Sequence, residues 1–447
     1  MNYYSLMKRY KEQMIDALNR FLIIPSLYDE KSSTKEMPFG KEVDNALKYI
    51  GDLGERFGFD VDYCDGYATE LTIGEGDKLI GIFAHADVVP ITGDWTSDPF
   101  TPTVRKNNLY ARGSSDDKGP LIAAFYATKA LHDAGLLRDY RVRIVVGGDE
   151  ERGSKCLHHY FEVLHKEAPT YGFTPDSDFP LIYGEKGITD FNVSVKVDIP
   201  NVKKIEGGLA SNAVNDKTKV FMGKDEAFIA YLKEKQVKFE EQEDGILFIG
   251  KAVHGSTPAL GENAALNALK CLGDFYKVEK LSLIGEKLSD TTGKSFNGFS
   301  HSKLLGDTTY CVGIISYEKG ELRFTVNFRY NESVDAKAFK DNFDKFFGVT
   351  SEMKEPSKVL LYDPKCYLVK TLLKAYRAET NDFSDPLTTG GGTYAKHAPN
   401  TVAFGALFPH AVSSMHEPDE YINLDDFFMS SVIYAHAIRL LGEKDEN

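Results

Sequence analysis

The chain reads as an α/β protein built on a mostly parallel sheet, with an α+β module inserted into it. Three observations predict this. Compact apolar runs of strand length, Lys78–Ala84 and Tyr140–Val146, flank a helical stretch at Pro120–Ala134. Strand, helix and strand with buried-looking strands suggest a largely parallel sheet. The pattern changes after Gly184-Glu185-Lys186-Gly187 to short strands mixed with helices, and the helix–strand pattern returns from Tyr367. Residues 1–186 and 362–447 are therefore expected to form one domain, with residues 187–361 inserted.

Each element has a local reason. Met7, Tyr10, Met14, Leu18 and Phe21 recur at three- and four-residue steps, which predicts an amphipathic N-terminal helix. Lys8, Arg9, Lys11, Glu12 and Asp16 interrupt it, so it is not expected to be an export signal. A second helix is predicted over Val43–Phe57 and stopped by Gly58. The Pro120–Ala134 helix is expected to bury one face, Leu121, Phe125, Thr128 and Leu131, with Gly135 at its end. In the insert, Phe191–Ile199, Lys219–Gly223, Gly245–Gly250 and Arg323–Tyr330 read as strands and Ala264–Tyr276 as a helix. Leu368–Thr380, Thr401–Leu407 and Leu424–Leu441 then read as helix, strand and final helix.

Composition limits the function. There are 53 Lys and Arg against 67 Asp and Glu, a net charge of −14, and no basic run. Nucleic-acid binding is not expected of such a chain. No run of about 18 apolar residues occurs, so no membrane span is expected. Cys64, Cys156, Cys271, Cys311 and Cys366 are scattered and odd in number, which suggests reduced thiols and a cytoplasmic location.

The chemistry-bearing residues lie in five short segments. His85 closes an apolar strand, and Asp87 follows two residues on, on the same side of an extended chain. The Asp87 carboxylate can there accept the second ring N–H of His85, the usual support of a metal-ligating histidine. By itself such a histidine is more often merely a hydrogen-bonded structural residue. Arg112-Gly-Ser-Ser-Asp116-Asp117-Lys118-Gly119 opens a helix, and Gly147-Gly-Asp149-Glu150-Glu151 follows a strand. Thr174-Pro-Asp176-Ser-Asp178 and Met415-His416-Glu417-Pro418 complete the set. Two His with several carboxylates and no Cys is a nitrogen-and-oxygen donor set that suits zinc or manganese. Two dications would also explain so many acids in one place.

These segments, in this order, resemble the co-catalytic metallopeptidase family that includes carboxypeptidase G, aminoacylase, succinyl-diaminopimelate desuccinylase and carnosinase. The resemblance covers nearly the whole chain. It looks closest to the bacterial peptidase V dipeptidases through Trp95-Thr-Ser-Asp-Pro99-Phe100, Thr174–Pro180, Gly390–Ala395 and the long insert. It implies a two-metal aminopeptidase-like catalytic domain with a lid. Asp116 would bridge two divalent ions, zinc first and manganese as the alternative. One ion would also take His85 and Asp176, the other Glu151 and His416. A hydroxide between them would balance the charge of three carboxylates against two dications. Glu150 would be the general base, with Asp87 also in the catalytic set, and the Asp116–Asp117 peptide would be cis. In the insert, His254 would polarise the scissile carbonyl and Arg329 would bind the substrate's terminal carboxylate. Asn212, Gly391, Gly392 and Thr393 would touch substrate. Asn215 stands where relatives often carry Pro, a departure that leaves the metal residues untouched.

The implied activity is hydrolysis of dipeptides with a free N-terminus, by a chain whose long lid lets a monomer suffice. The alternatives are an N-acyl amino-acid deacylase on the same scaffold and, from another class, a non-catalytic metal-binding scaffold. The remaining histidines (His132, His158, His159, His165, His301, His397, His410 and His436) are expected to serve surface or packing roles.

Overall fold

The computed structural model describes residues 1–443. The chain divides into two compact units, Met1–Tyr183 with Tyr362–Leu387 and Thr393 onward, and Gly184–Leu361 with Thr388–Gly392.

The first unit is organised on a sheet whose strands run in the order Asp60–Asp62, Ala68–Gly74, Tyr140–Gly147, Lys78–His85, Tyr171–Thr174, Thr401–Ala403, Ile182–Glu185. The central four are mutually parallel, and the flanking strands pair antiparallel. Lys78–His85 is buried from Leu79 onward, as a strand covered on both faces must be. The register sets His85 opposite Gly147 and Ile82 opposite Phe173. Three carboxyl ends therefore open at one edge of the sheet, where sites of α/β folds are built.

Helices Lys11–Leu22, Lys41–Arg56, Lys118–Asp133, Tyr367–Thr380 and Leu424–Gly442 belong to this unit. Lys118–Asp133 is buried on nearly every side, not on one face as its sequence pattern predicts. The N-terminal helices and Leu424–Gly442 pack against it and cover its outer side. Its end follows expectation: Gly135 takes φ 68°, a left-handed turn that closes the helix.

The second unit is an eight-stranded sheet, antiparallel throughout. Its order is Phe239–Gln242, Gly245–Ile249, Lys217–Met222, Val202–Gly207, Thr309–Glu318, Glu321–Tyr330, Gly187–Lys196, Thr350–Met353. Phe191, Val193, Val195, Val326 and Phe328 enter a core shared with helices Ala264–Tyr276, Glu279–Leu288 and Ala336–Phe347. Alternate residues, Asp190, Asn327 and Arg329 among them, point to the other face. The hairpin joining Thr309–Glu318 to Glu321–Tyr330 turns through Lys319 (φ 51°) and Gly320 (φ 79°), a two-residue turn suited to strand twist.

The segment 388–392 departs from the expected domain limits. It clusters with the second unit because the Gly390 carbonyl accepts from Arg329 and the Thr388 hydroxyl donates to the Leu304 carbonyl. Among the described residues no helix is long and apolar enough to cross a membrane.

Candidate metal centre

His85, Asp116, Glu150, Glu151, Asp176 and His416 all lie in the first unit. His85 and Asp176 sit at, or two residues beyond, the carboxyl ends of neighbouring parallel strands. Glu150 and Glu151 follow the third such strand, Tyr140–Gly147. Asp116 lies in the turn into helix Lys118–Asp133, and its peptide to Asp117 is cis. A Cβ at Gly119 would run into the Ser114 carbonyl, so the close turn that presents Asp116 requires glycine there. His416 holds a left-handed backbone (φ 65°), unusual for a residue with a Cβ and typical of functional loops.

The Asp116 carboxylate faces two histidines, one with each oxygen. Its Oδ1 lies 2.9 Å from His85 Nε2 and its Oδ2 lies 2.9 Å from His416 Nε2. Asp176 Oδ2 is 3.8 Å from His85 Nε2, and Glu151 Oε1 is 3.2 Å from His416 Nε2. Two donor groups result, His85/Asp116/Asp176 and Asp116/Glu151/His416, each with its donor atoms within 4.8 Å of one another. They share Asp116, and they are the groups in which the sequence reading placed these residues.

Electrostatics show what the cluster lacks. Burial pushes Glu150 and Asp176 well above the ordinary carboxylate range and raises Glu151, and neighbouring carboxylates add to this for each. Burial opposes ionisation of Asp116 too, but hydrogen bonds from His416 and His85 hold it low. Burial would lower His416, but Asp116 and Glu151 raise it to about 11. The site gathers protons because its acids outnumber its cations. Oxygen and imidazole donors at this spacing fit two divalent ions, which would take the place of those protons.

Asp87 departs from its expected contact. His85 Nδ1 lies 2.9 Å from the Asp87 backbone carbonyl, while the nearest carboxylate oxygen is 3.4 Å away. The carbonyl acceptor still orients the ring, so that Nε2 faces Asp116. The Asp87 carboxylate instead accepts the backbone N–H groups of Glu150 (3.1 Å) and Glu151 (3.2 Å). It holds the turn that carries Glu150 and Glu151.

Sequence reasoning missed Glu420 and Arg112 as a pair. Both are almost fully buried, with Arg112 Nη1 donating to Glu420 Oε2 at 2.7 Å. Glu420 also accepts the backbone N–H of Gly113, Ser115 and Asp116, at 3.1, 2.9 and 3.1 Å. Arg112 Nη2 reaches the His416 carbonyl at 3.5 Å and its guanidinium lies 5.1 Å from the Trp95 ring. One ion pair thus ties the Asp116 turn to the His416 loop. Nothing in the sequence marks Glu420 among 67 acidic residues.

His254, Asn212, Arg329, Gly391 and Gly392 lie in the second unit, and Thr393 in the first. His254 and Ala213 form a backbone bridge, the Asn212 carbonyl accepts from Gly255 at 2.6 Å, and Arg329 Nη2 is 3.5 Å from His254 Nε2. His254 Nδ1 meets the Ser256 hydroxyl at 2.7 Å. Gly391 N–H donates to the Thr389 hydroxyl, whereas the Thr393 hydroxyl caps the turn at Tyr394–Lys396. Asn215 pins the Asn212 turn through the Gly313 carbonyl and the Thr218 hydroxyl, so the residue standing in the usual Pro position is hydrogen-bonded structure. Four of the remaining histidines have local partners: His159 with Asp65, His301 with Asp307, His410 with Asp426 and His436 with Glu379.

Comparison with known proteins agrees with this geometry. The model of peptidase family M20/M25/M40 matches residues 81–440. The chain belongs to that family. It is therefore a peptidase, a hydrolase acting on peptide bonds. Among curated relatives of this M20 chain, one named "Putative dipeptidase" from Staphylococcus epidermidis is 37% identical over 98% of both chains. Among solved structures, the di-peptidase Dug1p of Saccharomyces cerevisiae aligns with TM-score 0.64 at 14% identity, covering 100% of this chain and 99% of that one. Human carnosine dipeptidase 1 aligns with TM-score 0.61 at 15% identity, covering 99% of each. At such identities the two structures establish the shared fold.

Proposed function

We propose that this M20 chain is a two-metal dipeptidase that cleaves dipeptides with a free N-terminus. The observation that carries the reading is the Asp116 carboxylate, which presents one oxygen to each of two His–carboxylate groups with Glu150 beside them. Relatives named as dipeptidases support the substrate class.

His85, Asp116 and Asp176, and Asp116, Glu151 and His416, would hold two divalent ions, zinc or manganese, which would supply Lewis acidity toward the scissile carbonyl and the attacking water. Glu150 takes the proton of that water and returns it to the leaving amine. Asp87 keeps Glu150 and Glu151 in place through their backbone N–H groups. His254 polarises the carbonyl. Asp176 meets the substrate ammonium as well as serving as a ligand.

Arg329 takes the terminal carboxylate. It is 2% exposed, and among the described residues no carboxylate lies within ion-pair distance of it. A buried guanidinium left without a counter-charge is an anion socket. Asn212, Gly391, Gly392 and Thr393 complete the substrate contacts. A monomer is expected to suffice, and the five free thiols support a cytoplasmic location.

The test is metal analysis of the purified protein together with hydrolysis of a dipeptide and its N-acetylated form, before and after chelation and re-addition of zinc or manganese. Two metal equivalents and faster cleavage of the free dipeptide are expected. Faster cleavage of the acetylated form would instead identify a deacylase, and no hydrolysis with both sites loaded would identify a scaffold.

A further inference from the structure

We propose that Asp190 and Asn327 are positioning residues for Arg329: Asp190 fixes the Asn327 amide, and that amide holds the guanidinium so that its free N–H groups stay available to a carboxylate ligand. This rests on the reading of Arg329 as the carboxylate site.

Strand pairing sets the arrangement. Gly187–Lys196 and Glu321–Tyr330 pair so that Asp190 lies directly opposite Asn327, and Ile188 opposite Arg329. Asn327 and Arg329 are two residues apart on one strand and share its face. That face is turned away from the helices, yet Asp190 (7%), Asn327 (3%) and Arg329 (2%) are all buried. A buried polar group needs a partner, and here each finds one in the next.

The hydrogen bonds run in one direction. Asn327 Nδ2 donates to Asp190 Oδ1 at 2.8 Å. A carboxylate only accepts, so the amide can present only its nitrogen there. Its oxygen must then face Arg329, whose Nε donates to it at 2.9 Å. The amide orientation follows from chemistry on both sides. Arg329 Nη1 donates to the Gly390 carbonyl at 2.7 Å, and Nη2 faces His254 Nε2 at 3.5 Å. Of five guanidinium N–H groups, two are firmly held, both by neutral acceptors.

Asp190 is itself anchored. Its Oδ2 accepts from Lys354 Nζ at 2.8 Å and from the Ser211 hydroxyl at 3.0 Å, and its backbone carbonyl accepts Lys354 N–H at 3.0 Å. A Cβ at Gly255 would lie 3.2 Å from Asn327 Oδ1, so the residue after His254 abuts this amide.

The indirect placement of the acid has a purpose. A carboxylate touching Arg329 would quench its charge and repel a carboxylate ligand. With the acid one amide away, the cation is oriented and left unneutralised. Burial draws the Arg329 pKa down to about 10, while Cys311 and Asp190 oppose that fall.

The test compares a free dipeptide with its C-terminal amide, which lacks the carboxylate, for wild type, Asp190→Asn, Asn327→Leu, Lys354→Met and Arg329→Met. Asparagine at 190 offers one oxygen to three donors, and leucine at 327 removes the acceptor of Arg329. Both are expected to raise KM for the free dipeptide about 10-fold, the range of a lost charge-assisted hydrogen bond, with kcat and amide hydrolysis little changed. Lys354 is exposed, so Lys354→Met keeps the fold and is expected to show a smaller rise of the same selectivity. Preference for the free dipeptide lost in Arg329→Met but kept in the other three overturns the proposal and leaves the Arg329 reading intact. Equal losses on both substrates in Asp190→Asn and Asn327→Leu overturn it as well. Preference kept in Arg329→Met overturns both readings.

Discussion

In the proposed reaction Glu150 is the residue on which the chemistry turns. It stands beside Glu151, which lies within hydrogen-bond reach of His416, and the two backbone N–H groups are held by one carboxylate, that of Asp87. Neighbouring residues so anchored can send one side chain to a ligand position and leave the other as base. Glu150→Gln keeps the shape and removes the proton acceptor. It is expected to lower kcat by about 10²–10⁴-fold, the usual worth of a general base, with metal content unchanged on elemental analysis. A variant that loses metal in proportion to activity would show Glu150 to be a ligand instead. At this scale much was legible. His85, Asp116, Glu151, Asp176 and His416 each stand beside a strand end, a glycine or a proline, and a sequence shows such positions. The contact made by Asp87 was not legible, because residue order cannot tell whether a ring nitrogen meets a carboxylate or the carbonyl of the same residue. Glu420 was hidden for a related reason: its role lies in backbone N–H groups more than 300 positions away.

Elements carry the next level of argument. Strand Lys78–His85 was readable because full burial leaves an apolar run, whereas helix Lys118–Asp133 was read as one-sided because what covers it arrives from both ends of the chain. The turn before that helix and the loop carrying His416 are joined by the Glu420–Arg112 pair. Glu420→Gln leaves a buried guanidinium without its charge partner, a loss of about 3–5 kcal/mol. A lower melting temperature and weaker metal binding in a titration are expected together. Destabilisation with unchanged metal affinity would show the pair to be structural only. In the second unit, helix Glu226–Glu234 is capped by Asp225, whose carboxylate accepts Phe228 N–H at 3.0 Å and the Tyr276 hydroxyl at 2.7 Å. The Tyr276 hydroxyl and the Phe228 N–H hold its pKa below the ordinary value. The unfolded chain therefore takes up this proton first. The contribution is complete above the ordinary carboxyl value of 3.8 and is lost as pH falls below it. Asp225→Ala should remove about 1 kcal/mol at neutral pH and cost progressively less in denaturant melts at lower pH. An equal cost at every pH would mean that the charge contributes nothing.

At the scale of the molecule, two units with separate cores should respond differently to metal removal. All five candidate ligands belong to the first unit. Ions bound at 1,000 times their dissociation constant would stabilise it by about 4 kcal/mol. The thiols provide the readout. Cys64 and Cys156 are buried in the first unit, Cys271 and Cys311 in the second, and Cys366 is half-buried. Burial pushes Cys64 and Cys311 up to about 12 and Cys271 to about 11, and raises Cys156 further still. Thiolate, the reactive form, is thus suppressed in the folded protein at pH 8 and returns only where the chain opens. Native protein treated with an alkylating reagent is expected to label at Cys366 alone. In mild urea after chelation, Cys64 and Cys156 should label faster, and Cys271 and Cys311 at the rate seen with metal present. Mass spectrometry of the peptides separates the five positions. Acceleration at all four buried thiols would mean that the ions stabilise the chain as one cooperative body, and acceleration at none would mean that the Asp116 cluster binds no stabilising ion.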